Sequence, residues 1–438
     1  MSGPLAGYRG VVLTQAWAGA FCTELLAMMG AEIIQVEVRK RPDSWRGGYD
    51  APLASGVASL ATAVHPWNNS ALFNAVNLGK QSITLDLATP EGMAMFKRLV
   101  PEADFLVENF SPRVLGNLGI AYGDPCAIRP DIIVASLSAY GATGPYFNVP
   151  GIGGTIEPTS GMSGLLGYED GQPLNSGSMF PDPTAGWYGF SSILAALHHR
   201  ERTGEGQSID LSMMEANLTV IGDAALEYAS TGHVRGPMGN RHRTFAPHGI
   251  YPARGQSNGG PGRTGGIEGH EQWIALAAES EAQWRTLCQI ARAGGTPGTH
   301  LEWVDDARFA DNAARKAHED ELDAAIAAWT ATEARDDLAR RLAEAGVPAA
   351  PVLDALEVAQ DAVFRERGLI SEVTHPEAGT WPQIGVPFRL GRTPAAVARP
   401  APLQGEHTAE VLARFLGTTQ AEYEELVRKG VTGSGPPD

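Results

Sequence analysis

Hydrophobic and polar positions follow two alternating patterns in the first part of the chain. Residues 10–15 (GVVLTQ) predict a short buried strand, and residues 18–30 place apolar side chains at helical spacing before Gly30. Residues 31–38 (AEIIQVEV) return to a strand, which completes a β-α-β unit. The pattern recurs as strands at 82–87, 103–110 and 131–137 and a helix from Thr89 to Leu99. The first 150 residues therefore predict an open, doubly wound parallel sheet of the Rossmann-like α/β class.

The pattern changes twice further along the chain. Asp182 to Arg202 predicts a long helix, followed by a strand at 207–212 and a helix from Met213 to about Ala229. Residues 232–270 are rich in Gly, Pro, Arg and His, and their segment 255–266 (GQSNGGPGRTGG) is a glycine run. One strand (QWIALAA) and amphipathic helices then predict a smaller α+β domain. After it, GVPAAPVLD, a VPFRL strand and a helix near 407–416 predict a return to the first domain.

These changes predict three segments. Residues 1–228 are predicted to form the first part of a large α/β domain. Residues 229–345 form a small α+β domain with the glycine-rich loop, and residues 346–438 return to the large domain. A length of 438 residues agrees with two domains, because one compact core stops growing at roughly 250–300 residues.

Composition and charge exclude several classes of protein. A net charge of -17 disfavours general binding to nucleic acid or to an anionic membrane surface. The three cysteines, Cys22, Cys126 and Cys288, are far apart, so they predict neither a disulfide framework nor a metal site. No signal peptide pattern and no apolar run of membrane-spanning length is visible. We therefore expect a cytoplasmic protein.

The turn after the first strand argues against a dinucleotide cofactor. A Rossmann dinucleotide site needs GxGxxG there, whereas the segment from Gln15 to Ala20 contains one glycine. Glu37 does stand where a ribose-binding acid would be, but without the glycines the pyrophosphate cannot approach the backbone. The P-loop, HExxH and GxSxG motifs are also absent from the sequence. We expect no tightly bound cofactor.

Two other sequence features allow both a structural and a functional interpretation. The basic cluster of Arg39, Lys40, Arg41 and Arg46 is either a solvated loop or a phosphate clamp at the end of a strand. The segment Asp182-Pro183-Thr184-Ala185-Gly186 by itself is typical of a helix start, with Asp182 as the N-cap. The histidines suggest surface or packing positions rather than chemistry: His198, His199, His242 and His248.

Segments along nearly the whole chain resemble family III CoA-transferases, which include formyl-CoA:oxalate, carnitine and bile-acid CoA-transferases. The matching segments are GAEIIQVE (30–37), NLGKQSITLDL (77–87), VENFSPRVLGNLGI (107–120), SLSAYGATGP (136–145), DPTAG (182–186), SILAALHHRERTGEGQSIDLSMMEA (192–216), GVPAAPV (346–352) and PLQGEHT (402–408). Each segment is a weak signal alone, but their order and spacing are specific.

The resemblance implies a role for individual residues. It makes Asp182 the catalytic nucleophile, which carries the acyl group as an anhydride and then CoA as a thioester. It also implies contacts with CoA: Val38, Arg39 and Arg46 in the phosphate segment, Asn109, Phe110 and Arg113 near adenine and phosphate, Tyr140 in the active site and Met213 along the pantetheine channel. Gly259 and Gly260 fall in a loop that resembles a mobile cover of the site. Family members are interlocked homodimers, so we expect one here.

Two differences from the family pattern bear on the substrate. Trp17 stands where the formyl-CoA enzyme has glutamine, which predicts a bulkier or more apolar acid, and Gln81 replaces a frequent arginine. The reactants implied are an acyl-CoA donor, for which succinyl-CoA is one candidate, and an aromatic, terpenoid or steroid-like acid.

Two alternative functions stay open at this point. An α-methylacyl-CoA racemase of the same fold needs a histidine base, but the matching stretch Pro150-Gly151-Ile152-Gly153 offers Ile152, which cannot move a proton. A non-catalytic CoA-binding subunit would need Asp182 to be only a helix cap.

Overall fold

The computed structural model describes residues 3–49, 65–120, 124–168, 171–255, 272–294 and 301–437. The chain divides into two compact units. The large unit comprises Met1–Gly164, Leu174–Arg235 and Asp361–Asp438, and the small unit comprises Leu165–Pro173 and Gly236–Gln360. No helix among the described residues is long and apolar enough to cross a membrane.

The strands and helices are numbered in chain order. The strands are β1 (Arg9–Leu13), β2 (Glu32–Glu37), β3 (Gln81–Thr84), β4 (Phe105–Glu108), β5 (Ile133–Ser138), β6 (Ser208–Ser212), β7 (His248–Ala253), β8 (Gln272–Ala277), β9 (Ala349–Val352), β10 (Ile370–His375) and β11 (Gly379–Ile384). The helices are α1 (Ala18–Met28), α2 (Ala71–Asn74), α3 (Pro90–Leu99), α4 (Arg113–Asn117), α5 (Asp124–Ile128), α6 (Gly153–Thr159), α7 (Pro181–Thr203), α8 (Met213–Leu218), α9 (Gly222–Thr231), α10 (Glu281–Gly294), α11 (Asn312–Ala317), α12 (Glu319–Thr330), α13 (Arg335–Glu344), α14 (Ala355–Gln360), α15 (Ala362–Glu366), α16 (Thr408–Leu416) and α17 (Gln420–Arg428).

The large unit is built on a six-stranded sheet in the order β3-β2-β1-β4-β5-β6. Each neighbouring pair is parallel; Val11 of β1, for example, lies opposite Ile34 of β2 and Leu106 of β4. The direction of winding reverses between β1 and β4. A crevice forms at such a switch point, beyond the carboxyl ends of the strands. The predicted open parallel α/β sheet is thus confirmed.

Both faces of this sheet are covered because successive strand residues point to opposite sides. Val11 and Leu13 of β1 belong to a core that includes residues of α3, α16 and α17. Val12, between them, belongs to a second core with residues of α1 and α7. Burial on both faces explains the apolar runs of β1, β2, β4 and β5 in the sequence.

Two glycines bring α7 close to α1. A Cβ atom at Gly186 would lie 2.8 Å from the Phe21 ring, and one at Gly189 would lie 2.7 Å from Leu137. These contacts leave no space for a side chain on that face of α7. The close approach sets the beginning of α7, with Asp182, beside the beginning of α1.

Two predicted elements of the large unit differ from the structure. The helix predicted from Met213 to Ala229 is interrupted by a 3-10 turn at Thr219–Ile221, which separates α8 from α9. The predicted VPFRL strand (386–390) is not a strand; its apolar residues pack against the core without pairing, and the hairpin β10–β11 precedes it. Alternation of apolar residues indicated burial there, but burial does not require a strand partner.

The small unit has an antiparallel sheet in the order β7-β8-β9 and a core rich in tryptophan. Trp303 lies between Trp284 and Trp329, with ring centroids 5.7 and 5.8 Å apart. β9 pairs with β8, so the chain does not leave this unit at residue 346. The limits predicted at 228/229 and 345/346 therefore shift to 235/236 and 360/361, because strand pairing retains the GVPAAPV segment.

Candidate active site

A cavity of about 660 Å³ lies in the large unit beyond the carboxyl ends of the parallel strands. Each of the six strands is followed, directly or within a few residues, by residues that line it. These are Gln15 and Ala16 after β1, Val38 and Arg41 after β2, Asp86 after β3, Asn109 and Phe110 after β4, Tyr140 after β5 and Met213 after β6. This is the position where open α/β sheets bind ligands.

Asp182 is the second residue of α7 and lines this cavity, with 8% of its surface exposed. The helix begins at Pro181, and the N-cap position is held by Phe180 without a side-chain hydrogen bond. The interpretation of Asp182 as an N-cap is therefore wrong. Its carboxylate lies at the wall of the cavity instead of closing the first turn.

The surroundings of Asp182 disfavour its charge. Burial raises the pKa of this carboxyl from 3.8 to about 6, and the backbone N–H of Ala18, at the start of α1, opposes that rise. The Oδ2 atom is buried and has no hydrogen-bond partner among the described residues. At neutral pH the group is thus an ionised, weakly solvated carboxylate, which is a better nucleophile than a hydrated one.

Gly153, the first residue of α6, makes room for this carboxylate. A Cβ atom at this position would overlap Oδ2 of Asp182 and lie 2.6 Å from Cβ of Met179. Sequence reasoning treated Gly153 only as part of a matching stretch and missed its contact with the nucleophile. Glycines are frequent in the chain, so the residue type gave no signal.

Ile152, immediately before Gly153, also lines the cavity, and 70% of its surface is exposed. Among the described residues of the cavity wall, the carboxylates are Asp182 and Asp86, and there is no histidine. Asp86 accepts a hydrogen bond from Nζ of Lys40 at 2.7 Å. The wall therefore offers Asp182 no partner base across the cavity.

Arg46 is buried inside the protein and does not line the cavity. Its side chain is fully buried; its guanidinium donates to the Glu37 carboxylate at 2.6 and 2.8 Å and to the Pro402 carbonyl at 3.0 Å. It also donates to Asn68 Oδ1 at 3.2 Å and lies 3.5 Å from the centroid of the Phe73 ring. The predicted phosphate contact of Arg46 is wrong, because every donor is used inside the protein.

Arg39 is likewise turned away from the cavity wall. Its guanidinium donates to the carbonyl oxygens of Thr432, Gly435 and Pro436 at 2.9, 3.0 and 2.6 Å. This fixes the C-terminal segment to the loop after β2. The predicted contact between Arg39 and a CoA phosphate is not supported, since Arg39 does not line the cavity and all three of its guanidinium nitrogens already donate to carbonyl oxygens.

Arg41 is the residue of the basic cluster that lines the cavity, and its side chain is exposed. Arg113, predicted as a phosphate contact, is also exposed, at the start of α4 between Pro112 and Val114 of the cavity wall. Charge alone could not separate Arg41 from its neighbours Arg39 and Arg46. Only the path of the loop after β2 decides which cation faces the cavity.

The other residues predicted to contact CoA line a single cavity. Val38, Asn109, Phe110, Tyr140 and Met213 all line the same cavity as Asp182. The structure therefore brings together positions that are up to 175 residues apart in the chain, from Val38 to Met213.

Trp17 and the glycine loop fall elsewhere. Trp17 does not line the described cavity; its ring centroid lies 5.4 Å from that of Trp45, which does. Its effect on substrate would act through Trp45. Gly259 and Gly260, and most of the run 255–266, lie outside the described residues.

Comparison with known proteins identifies relatives over the whole length. A family model described as CoA-transferase family III matches residues 5–408. Succinyl-CoA–D-citramalate CoA-transferase of Chloroflexus aurantiacus is 34% identical over 429 residues, which cover 98% of each chain. Succinate–glutarate CoA-transferase of Agrobacterium fabrum is 32% identical and covers 94% of this chain and 96% of its own. A solved CAIB/BAIF family protein from Brucella suis superimposes with a TM-score of 0.78 at 30% identity, over 95% of this chain and 100% of its own.

Proposed function

This chain belongs to CoA-transferase family III and transfers CoA from an acyl-CoA to a carboxylic acid, and we propose that Asp182 carries the transfer covalently. The observation that supports this most strongly is the buried carboxylate of Asp182 on the wall of the cavity. Its Oδ2 is unpartnered among the described residues. A carboxylate held in this way costs stability, so its retention points to chemistry.

The proposed reaction has two symmetrical halves. Asp182 attacks the thioester carbonyl of the donor, the C–S bond breaks, and an aspartyl-acyl anhydride and CoA thiolate form. The thiolate attacks the aspartyl carbonyl, which releases the donor acid and leaves an aspartyl-CoA thioester. The acceptor carboxylate then attacks this thioester, and the same steps in reverse give the new acyl-CoA and free Asp182.

The local backbone supports this chemistry. Asp182 lies in the first turn of α7, and the N–H of Ala18 at the start of α1 acts on its carboxylate. The positive ends of helices and free N–H groups stabilise the negative charge that develops on oxygen in each addition step. The apolar neighbours Ile152 and Met179 keep hydration of the anhydride low.

We further propose that Arg41 binds a phosphate of CoA. Arg41 is exposed, is the one cation among the described residues of the cavity wall, and follows β2 at the carboxyl edge of the sheet. The nucleotide end of CoA would then lie by Arg41 and Phe110, with pantetheine passing Met213 toward Asp182. No tightly bound cofactor is needed in this mechanism.

Replacing Arg41 with alanine is expected to raise KM for acyl-CoA by roughly 10- to 100-fold, because a charge-assisted hydrogen bond to phosphate contributes about 1.5–3 kcal/mol. The change should leave kcat within a factor of about three. The measurement is steady-state kinetics with acyl-CoA and with an acyl-pantetheine thioester, which lacks the nucleotide. Equal effects on both substrates would contradict the phosphate assignment.

The wall on either side of Asp182 supports an acid with an apolar body as acceptor. Phe147, Val149, Ile152 and Met179 line the cavity with exposed apolar side chains. A second carboxylate would find no cation among these neighbours. Succinyl-CoA as donor rests on the names of the relatives.

We propose that the protein acts as an interlocked homodimer. The described part of α9 has no buried residue, and Leu226, Tyr228 and the nearby Val234 are 69%, 58% and 75% exposed. Exposed large apolar side chains such as these are frequent at interfaces between protein chains. A cytoplasmic location accords with Cys22, Cys126 and Cys288 being free thiols.

The function is tested by incubating the enzyme with succinyl-CoA and a panel of acids, including phenylpropionate, a bile acid, glutarate and citramalate. We expect new acyl-CoA products, with apolar monocarboxylates preferred, as followed by chromatography and mass spectrometry. The same enzyme in heavy water with (R)-2-methylacyl-CoA should incorporate no deuterium at the α-carbon. Rapid incorporation without CoA transfer would favour the racemase instead, because only a racemase removes that proton.

A further inference from the structure

The turn between β1 and α1 is held from two sides by side chains that follow other strands. On one side, Gln15 N–H donates to Asn109 Oδ1 at 2.8 Å, and Asn109 Nδ2 donates to the Gln15 carbonyl at 2.8 Å. On the other side, Ala16 N–H donates to Asp43 Oδ1 at 2.9 Å. The backbone of Gln15 and Ala16 is thereby fixed at two successive residues.

Ala16 adopts a backbone conformation that needs such support. Its φ is +54°, in the left-handed region that residues with a Cβ atom rarely occupy. A residue held there is strained and persists only when its surroundings fix it. Without the acceptor at Asp43, the turn would relax toward an ordinary conformation.

Asp43 is itself an unusual carboxylate. It is 3% exposed, its Oδ1 also accepts from Trp45 N–H at 2.9 Å, and its Oδ2 has no partner among the described residues. The charged groups acting on it are Glu37, which disfavours its ionised form, and Arg46 and Lys80, which favour it. Burial of a carboxylate is costly, and the two backbone N–H groups that donate to Oδ1 offset part of that cost.

The turn ends at the nucleophile. Ala16 and Trp17 lead directly into Ala18, which packs with Ala185 of α7 and whose carbonyl oxygen lies 3.2 Å from the place of a Cβ atom at Gly186. The N–H of Ala18 favours the ionised form of the Asp182 carboxylate. A shift of the turn would move this N–H away from Asp182. The same Asp43 oxygen that holds Ala16 also holds Trp45, which lines the cavity.

We propose that Asp43 is a positioning residue for the transfer reaction, which holds the Gln15–Trp17 turn so that the Ala18 N–H stays at the Asp182 carboxylate. The proposal rests on the proposed role of Asp182. Asp43 acts through the turn and touches neither CoA nor acid. Its hydrogen-bond acceptance, rather than its charge, performs this function.

Two variants separate the effect of hydrogen-bond acceptance by residue 43 from the effect of its negative charge. Asp43→Ala removes both, whereas Asp43→Asn removes the charge and keeps an Oδ1 acceptor for Ala16 and Trp45. We expect kcat to fall by on the order of 10²-fold in Asp43→Ala, as for a misplacement of about 1 Å at a reacting group, with KM for acyl-CoA changed less than about threefold. Asp43→Asn should keep most of the wild-type kcat.

The pH profile gives a readout that simple destabilisation would not move. Loss of the Ala18 N–H should raise the pKa of Asp182 further, so the acid limb of the kcat profile should shift to higher pH in Asp43→Ala. Loss of the negative charge at position 43 alone should shift the acid limb of the kcat profile to lower pH or leave it in place. Asp43→Asn measures that effect. If Asp43→Ala does not fold, Asp43→Ser, whose hydroxyl is too short to reach Ala16, replaces it.

The outcomes are distinct. Equal impairment of Asp43→Asn and the alanine or serine variant would overturn the proposal, because the charge would then be what matters. Wild-type kcat and an unshifted acid limb in the folded alanine or serine variant would also overturn it. Mass spectrometry of the wild-type enzyme with donor alone serves as control: absence of an adduct on Asp182 there would instead count against the proposed function.

Discussion

Asp182→Asn is expected to reduce CoA transfer by on the order of 10⁴-fold or more, as removal of a covalent nucleophile does in other enzymes. The amide nitrogen cannot form the anhydride, while the side chain keeps the size and shape of the carboxylate. The variant should therefore fold and bind acyl-CoA. Steady-state turnover and acyl-CoA binding, measured on the same preparation, check both expectations.

The same substitution is expected to stabilise the protein at neutral pH. The rise in the pKa of Asp182 from 3.8 to about 6 means that ionisation of this group costs the folded state about 3 kcal/mol. The cost is complete above pH 6, declines as the pH falls through 6 while the folded protein takes up a proton, and vanishes below the unfolded pKa. Denaturation of both proteins across this range should show a stability advantage of Asp182→Asn that shrinks on acidification.

Substantial turnover in the Asp182→Asn variant would contradict the assignment of Asp182 as the nucleophile.

Gly153→Ala is expected to lower kcat by on the order of 10²-fold or more, because its methyl group would occupy the place of Asp182 Oδ2. Either the carboxylate or the start of α6 must move. KM for acyl-CoA should change little, since Gly153 lies at the reacting end. Steady-state kinetics with saturating acceptor measures this effect.

The next residue supplies the matched control. A Cβ atom at Gly154 meets nothing within 4 Å, so Gly154→Ala makes the same chemical change on the same helix without touching the nucleophile. It should retain activity and add a few tenths to about 1 kcal/mol of stability, since alanine favours helix over glycine. Similar kcat values for the two variants would show that Gly153 does not constrain Asp182.

The central strands β1, β2, β4 and β5 could be predicted from the sequence because burial on both faces makes them rich in apolar residues. The helix at α3 was also readable, since Thr89 accepts from Gly92 N–H at its start, as its sequence predicts. The segment VPFRL failed because packing against a core and pairing in a sheet give the same alternation. The boundary at 346 failed because β9 is short and its partner β8 is distant in sequence.

For the site, the resemblance indicated Asp182 and the strand-end residues Asn109, Tyr140 and Met213, and the structure places these on one cavity. The basic cluster could not be resolved in the same way. A sequence shows that four cations are close together, but it does not show that Arg46 is buried against Glu37. The roles of Gly153 and Asp43 around Asp182 could not be predicted from the sequence, since both depend on contacts between segments that are distant in the chain.

The covalent step at Asp182 is tested most directly by intact-protein mass spectrometry after exposure to an acyl-CoA donor without acceptor. In a two-stage transfer the donor acid can leave first, so CoA stays on the protein as a thioester. We expect a mass increase of one CoA per chain, mapped to the peptide of Asp182, absent in Asp182→Asn and removed by hydroxylamine. Full turnover under the same conditions with no adduct at Asp182, or an adduct on another residue, would contradict it.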